Sequence, residues 1–132
     1  MAPIGYKQML EEANREIETI SVDEALALFN SDEDDFLFVD LRDIRELGRE
    51  GKIPGAYHAP RGMLEFWIDP ESPYHREIFA SGKRFVFYCA SGWRSALAAQ
   101  TAQRMGLSPV AHIGGGFSAW KEAGGSIEKK DA

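Results

Sequence analysis

The sequence predicts an α/β domain with a mostly parallel sheet covered by helices on both faces. Two short apolar, β-rich runs, FLFVDL at 36–41 and RFVFYC at 84–89, lie between polar flanks, the pattern of central strands buried on both sides. Strand-like and helix-like segments alternate along the chain, which implies crossover connections and ligand binding at the carboxyl ends of strands. The length of 132 residues, with 44% hydrophobic and 27% charged residues, fits one folded core.

The elements follow in order. Tyr6, Met9, Leu10 and Ala13 recur near helical spacing, so residues 1–16 are expected to form a peripheral helix outside the main domain, which spans 17–128 and leaves a tail at 129–132. A short strand is expected over 17–20. Ser21 and Glu24 form a capping box, each side chain meeting an unpaired amide at a helix start, and a helix is expected over 22–30. The acidic run at 31–35 then reads as a solvated connection to the 36–41 strand. Next come a charged helical stretch (DIRELGRE), a turn at Ile53-Pro54-Gly55 and a short strand near 57–59. A helical excursion over 61–80 is broken by Pro70 and Pro73, since proline lacks the amide that a helix needs. After the 84–89 strand come the alanine-rich helix SALAAQTAQRM, a strand PVAHI, the turn Gly114-Gly115-Gly116 and a last helix FSAWKEAG ended by glycine.

With 15 Lys and Arg against 21 Asp and Glu, the net charge of −6 would repel a phosphate backbone, so nucleic acid is not an expected partner. The opening residues show no cationic start followed by an apolar run, and no stretch reaches the length that spans a bilayer. A cytoplasmic protein without membrane contact is expected. Its single cysteine has no internal disulfide partner.

The chemistry gathers around that cysteine. Cys89-Ala90-Ser91-Gly92-Trp93-Arg94-Ser95 joins a buried strand to a helix, so its amides can curl inward with the helix amino terminus behind them, forming an anion cradle. The same field favours a thiolate at Cys89, and a thiolate in an accessible, electropositive turn is a nucleophile. Gly92 permits left-handed backbone, and Arg94 adds a fixed charge and a planar donor fork. A lone cysteine ending a strand is most often an inert buried thiol. Here the strand, cysteine, glycine and arginine follow in working order within one turn, which favours reactivity.

This loop resembles the active-site loop of the rhodanese-like domain family, in which cysteine is followed by four residues and an arginine. VDLRDIRELGREGKIPGAYHAP (39–60) is similar to the family's strand, helix and Gly-Ala turn, and HIGGGFSAWKEAGG (112–125) to its closing glycine turn and Trp-bearing helix. The resemblance implies a three-layer domain with a five-stranded, mostly parallel sheet and sulfurtransferase activity. Cys89 would take sulfane sulfur from thiosulfate or an organic persulfide and yield it to cyanide, a small thiol or a protein thiol, with the amides of Ala90 to Ser95 holding the terminal sulfur. It implies no metal or organic cofactor.

Two departures from the family pattern stand out. Thiosulfate-using members often have a cation directly after the cysteine, where this chain has Ala90, leaving Arg94 as the only loop cation to grip sulfonate oxygens. Lys52 stands where relatives often have histidine, with surface packing as its expected role. Trp93 has two readings, an aromatic wall for an organic donor or packing on Phe117 or Trp120.

Competing readings are a phosphatase or arsenate reductase on the same fold and a non-catalytic regulatory domain. The former use five residues between cysteine and arginine to encircle a tetrahedral oxyanion, and this loop has four and no carboxylic acid. Retention of Cys89, Gly92 and Arg94 argues against the latter, and thiol redox sensing lacks a resolving cysteine. Other residues receive structural roles. His58, His75 and His112 lack metal-ligand spacing and are expected in ordinary hydrogen bonds. Asp40 and Arg42 are expected to pair with Glu46 or a loop amide, with Arg42 a secondary site candidate. The glycines at 114–116 are expected to form a turn supporting the cysteine loop. Arg61 and residues 63–67 are expected to border the pocket, with Phe66 and Trp67 there or in the core.

Overall fold

The computed structural model describes residues 2–129. Five strands, β1 (Glu18–Ile20), β2 (Phe36–Asp40), β3 (Tyr57–His58), β4 (Arg84–Tyr88) and β5 (Val110–Ile113), form one sheet in the order β1-β5-β4-β2-β3. Every pairing is parallel. The two apolar runs occupy β4, at the centre, and β2 beside it, as burial on both faces requires.

Among the described residues, six α-helices cover the sheet: α1 (Tyr6–Glu16), α2 (Val22–Phe29), α3 (Ile44–Glu50), α4 (Leu64–Ile68), α5 (Trp93–Arg104) and α6 (Gly116–Glu122). One core layer joins Ala13 of α1, Leu64 and Ile68 of α4 and the alanines of α5 to Val39, Phe85, Phe87 and Val110 of the sheet. The other joins Ala25 of α2 and Phe117 and Trp120 of α6 to Phe38, Val86, Tyr88 and Ala111. The small side chains Ala96, Ala98, Ala99 and Ala102 are fully buried and let α5 lie close on the sheet. The excursion expected over 61–80 contains α4 between 3-10 turns at Arg61–Met63 and Glu77–Ala80.

The predicted capping box is present, and a second one is found. Ser21 and Glu24 cap α2, and Asp43 and Glu46 form a second capping box at α3 that the sequence reading passed over. Of the helix expected over residues 1–16, Tyr6–Glu16 is helical and Met1 lies outside the described residues; the helix is no loose appendage, because Ala13 is buried and Gln100 and Gln103 of α5 donate to Glu16. Lys52 pairs with Glu128 through two backbone hydrogen bonds and a 3.3 Å ion pair, tying down the carboxyl-terminal segment. Of the expected tail at 129–132, only Lys129 lies within the described residues. Among those residues, no helix is long and apolar enough to cross a membrane.

The chain runs outward from β2 to the β3 edge, then returns to β4 and continues towards β5. The carboxyl ends of β2 and β4 therefore flank the point where the winding reverses, the usual crevice of such sheets. Asp40 ends β2, and Cys89 immediately follows β4.

Candidate active site

Cys89 lies at the base of the β4–α5 loop. Its Sγ accepts hydrogen bonds from the Gly92 amide at 3.2 Å and the Ser95 amide at 3.4 Å, and lies 3.5 Å from Ser95 Oγ. Gly92 has φ +106°, the left-handed backbone that turns its amide inward. The loop carbonyls face the other way, with Phe117 N donating to Cys89 O at 2.8 Å and Ser118 N to Ala90 O at 3.0 Å. The start of α6 thus holds the loop by its oxygens and frees its amides for the sulfur.

The glycine turn makes this approach possible. At Gly116, φ is +59°, and a Cβ there would fall 2.6 Å from Cys89 O and 2.8 Å from both the carbonyl carbon and oxygen of Ala90. Of the three glycines in the turn, this is the one whose bareness the site requires.

Three expectations change. The sequence placed Cys89 in an accessible turn, but its side chain is fully buried, because the loop folds its own amides over the sulfur. Its surroundings are nevertheless polar, unlike those of an inert core thiol. Arg94 was expected to reach for oxyanions. Instead its two terminal nitrogens donate to Glu46 at 2.8 and 3.0 Å, a bidentate pair that also holds Glu46 well below the carboxylate range, at about 2. Glu46 is positioned for this by its capping-box bond from Asp43 N.

Of the two partners expected for Asp40 and Arg42, Glu46 is taken by Arg94, and the loop amide is found. Asp40 and Arg42 are both fully buried and bond to each other, Arg42 Nη2 to Asp40 Oδ2 at 2.7 Å and Nε to Oδ1 at 3.0 Å, while the Arg42 amide also donates to Asp40. The guanidinium donates to Gly51 O and lies 4.2 Å from the Phe117 ring centre, below the residue that grips Cys89 O. Arg42 buttresses the site from beneath and reaches no solvent.

Trp93 does not pack on Phe117 or Trp120. It is exposed beside the loop and packs at a tilt against Tyr6 of α1, with ring centres 5.0 Å apart. Ala90 and Ser91 form the outer turn of the loop, Ser91 exposed and Ala90 half-buried. Phe66 is exposed and Trp67 is half-buried under Arg76, so the two do not share one environment. Arg61 pairs with Glu65.

None of the three histidines joins a cluster able to hold a metal among the described residues. His58 Nε2 meets Arg42 O, and His75 lies 3.9 Å from Glu77. His112 is the unforeseen one. Its Nδ1 is 2.9 Å from Ser95 Oγ and its Nε2 3.0 Å from Thr19 Oγ1, so it connects to the hydroxyl that meets the cysteine sulfur.

Burial pushes His112 from 6.5 down to about 4, keeping the folded imidazole neutral. An unfolded chain binds a proton there below about pH 6.5, and the folded one only below about 4. Stability from this group is therefore complete above that window and is lost as pH falls through it, by about 3 kcal/mol in all at 1.36 kcal/mol per pH interval. Urea unfolding at pH 7 and pH 4 should show that loss, and His112→Gln should remove this part of the pH dependence.

Residues 21–123 match the rhodanese-like domain. The chain belongs to the rhodanese-like domain family. It is 30% identical over 114 residues to the mouse thiosulfate sulfurtransferase/rhodanese-like domain-containing protein 3, covering 83% of this chain and 71% of the mouse protein. A solved structure from Rhodopseudomonas palustris, a protein of unknown function described as a possible tyrosine phosphatase, is 60% identical, with a TM-score of 0.94 and 97% of both chains covered. The thiosulfate sulfurtransferase of Pseudomonas aeruginosa shares the fold at 24% identity and TM-score 0.73, over 96% of this chain and 23% of that one.

Proposed function

We propose that this rhodanese-like domain is a sulfurtransferase that carries sulfur as a persulfide on Cys89. The observation that carries the reading is the polar seat of Cys89 Sγ, with two loop amides directed at one sulfur atom. Such donors stabilise a thiolate, and after attack they can turn to the terminal sulfur of the persulfide. Attack by Cys89 on the outer sulfur of a donor expels the donor's remaining group as an anion. Attack by an acceptor thiolate or cyanide on that sulfur then returns the electron pair to Cys89, dividing the transfer into two easier steps. A reducing compartment such as the cytoplasm suits this chemistry, because the thiol must be regenerated free.

Among donors, small organic persulfides are favoured over thiosulfate. Ala90 offers no cation, and the Arg94 charge is engaged by Glu46, so little positive charge is free for a sulfonate. The exposed Trp93–Tyr6 pair supplies apolar surface beside the loop instead.

The phosphatase description of the Rhodopseudomonas palustris neighbour makes that activity the comparison to run. Against it stand the four-residue spacing and the prior engagement of both Arg94 terminal nitrogens, where a phosphate would need a free planar fork. Purified protein should transfer sulfur from an organic persulfide to cyanide or a thiol, faster than from thiosulfate, and Cys89→Ser should abolish transfer. Hydrolysis of an aryl phosphate, lost in Cys89→Ser and unaccompanied by sulfur transfer, would replace this reading with the phosphatase.

A further inference from the structure

We infer that His112 and Thr19 act through Ser95 as a hydrogen-bond relay that takes the Cys89 proton out to solvent and turns the Ser95 hydroxyl towards the thiolate. Cys89, Ser95 and His112 are buried, whereas Thr19 is exposed on edge strand β1. The contacts run from Cys89 Sγ to Ser95 Oγ at 3.5 Å, from Ser95 Oγ to His112 Nδ1 at 2.9 Å, and from His112 Nε2 to Thr19 Oγ1 at 3.0 Å. A sealed sulfur is thereby linked to water. The parallel register sets Thr19 beside His112, and the buried inner face of α5 brings Ser95 to the same imidazole.

The chain has two consistent directions. With a thiol, Sγ–H donates to Ser95 Oγ, the Ser95 hydroxyl to His112 Nδ1, and Nε2–H to Thr19 Oγ1. With a thiolate, every donor reverses: Thr19 donates to Nε2, Nδ1–H to Ser95, and Ser95 to sulfur. Passing between them moves one proton at each link, and one proton leaves from Thr19 to water while its electron pair stays on Sγ. The imidazole changes tautomer without becoming a cation, consistent with its burial-depressed basicity. When an acceptor thiolate removes the outer sulfur, the Sγ–S electron pair returns to Sγ and a proton re-enters along the same links.

The other ionisable groups around the chain are already occupied. Arg94 of α5, whose charge reaches Cys89, is held by Glu46 of α3. Asp40 and Arg42 after β2 neutralise one another, and Tyr88 on β4 donates to no part of the relay and bonds instead with Ile53 N. Glu18, next to Thr19, pairs with Arg84.

The relay rests on Cys89 being the working thiol, so its test uses alkylation by iodoacetamide, which needs no sulfur donor. Thr19→Val keeps the shape of an exposed residue and removes its hydroxyl, and Thr19→Ser restores it. Alkylation at neutral pH should slow several-fold to about tenfold in His112→Leu, the size of the one neutral hydrogen bond that Ser95 loses, and by a smaller factor in Thr19→Val. Both pH–rate profiles should move to higher pH, with Thr19→Ser retaining the wild-type profile. Folded Thr19→Val with an unchanged profile, or Thr19→Ser as impaired as Thr19→Val, would overturn the relay. A normal relay response in a protein that takes up no sulfur would defeat the sulfurtransferase reading alone.

Discussion

Gly116→Ala is expected to disable the loop and to destabilise the fold by about 2–5 kcal/mol. Left-handed backbone costs a non-glycine residue about 1–2 kcal/mol, and forcing a methyl group into a packed site costs about 1–3 more. The atoms it would meet are backbone, Cys89 O and Ala90 C and O, so no flexible side chain can swing aside. Either α6 or the loop must retreat, which breaks the Phe117 N to Cys89 O and Ser118 N to Ala90 O bonds that aim the amides at sulfur. Thermal unfolding should fall by on the order of 10 °C, and the Cys89 alkylation rate should change in the fraction that stays folded. A variant with wild-type melting and wild-type reactivity would show that the close approach of α6 is not what shapes the loop.

The second large effect is expected at the buried ion pair. Asp40→Ala leaves the fully buried Arg42 guanidinium with Gly51 O as its remaining hydrogen-bond acceptor, and removing one partner of a buried pair costs about 3–5 kcal/mol. That is a large share of the roughly 5–15 kcal/mol that holds a typical domain folded. Because Arg42 lies under Phe117, the loss should also loosen the grip of α6 on Cys89 O. The double variant Asp40→Leu/Arg42→Met removes both charges and should recover much of the stability, as apolar replacement of a buried pair often does. Urea denaturation of the single and double variants separates these outcomes. A single variant as stable as the wild type would mean the pair contributes nothing to the fold.

What could be read from the sequence was local. The apolar runs of β2 and β4 announced central strands, Ser21 and Glu24 announced the start of α2, and the spacing from Cys89 to Arg94 announced the loop. The Asp43–Glu46 box was equally visible and was missed, because the charged stretch DIRELGRE was read for its charge alone. What stayed hidden depends on residues far apart in the chain. Glu46 and Arg94 are 48 positions apart, and nothing in either segment says that the carboxylate takes the fork meant for substrate. Burial of Cys89 follows from how tightly the loop closes, which depends on Gly116 more than on the loop's own residues. Tyr6 meets Trp93 only because α1 docks on α5. Ser95 and His112 did leave a trace. Each is a polar residue on an otherwise apolar buried face, and two such residues on facing elements need one another as hydrogen-bond partners.

The state of one sulfur atom decides whether Cys89 works as a sulfur carrier. Intact mass spectrometry of the protein after incubation with a small organic persulfide, under non-reducing conditions, should show a gain of one sulfur atom. The adduct should map to Cys89, be absent in Cys89→Ser and disappear on adding cyanide or a thiol. An unchanged mass with every donor, thiosulfate included, or an adduct that persists in Cys89→Ser, would contradict that role.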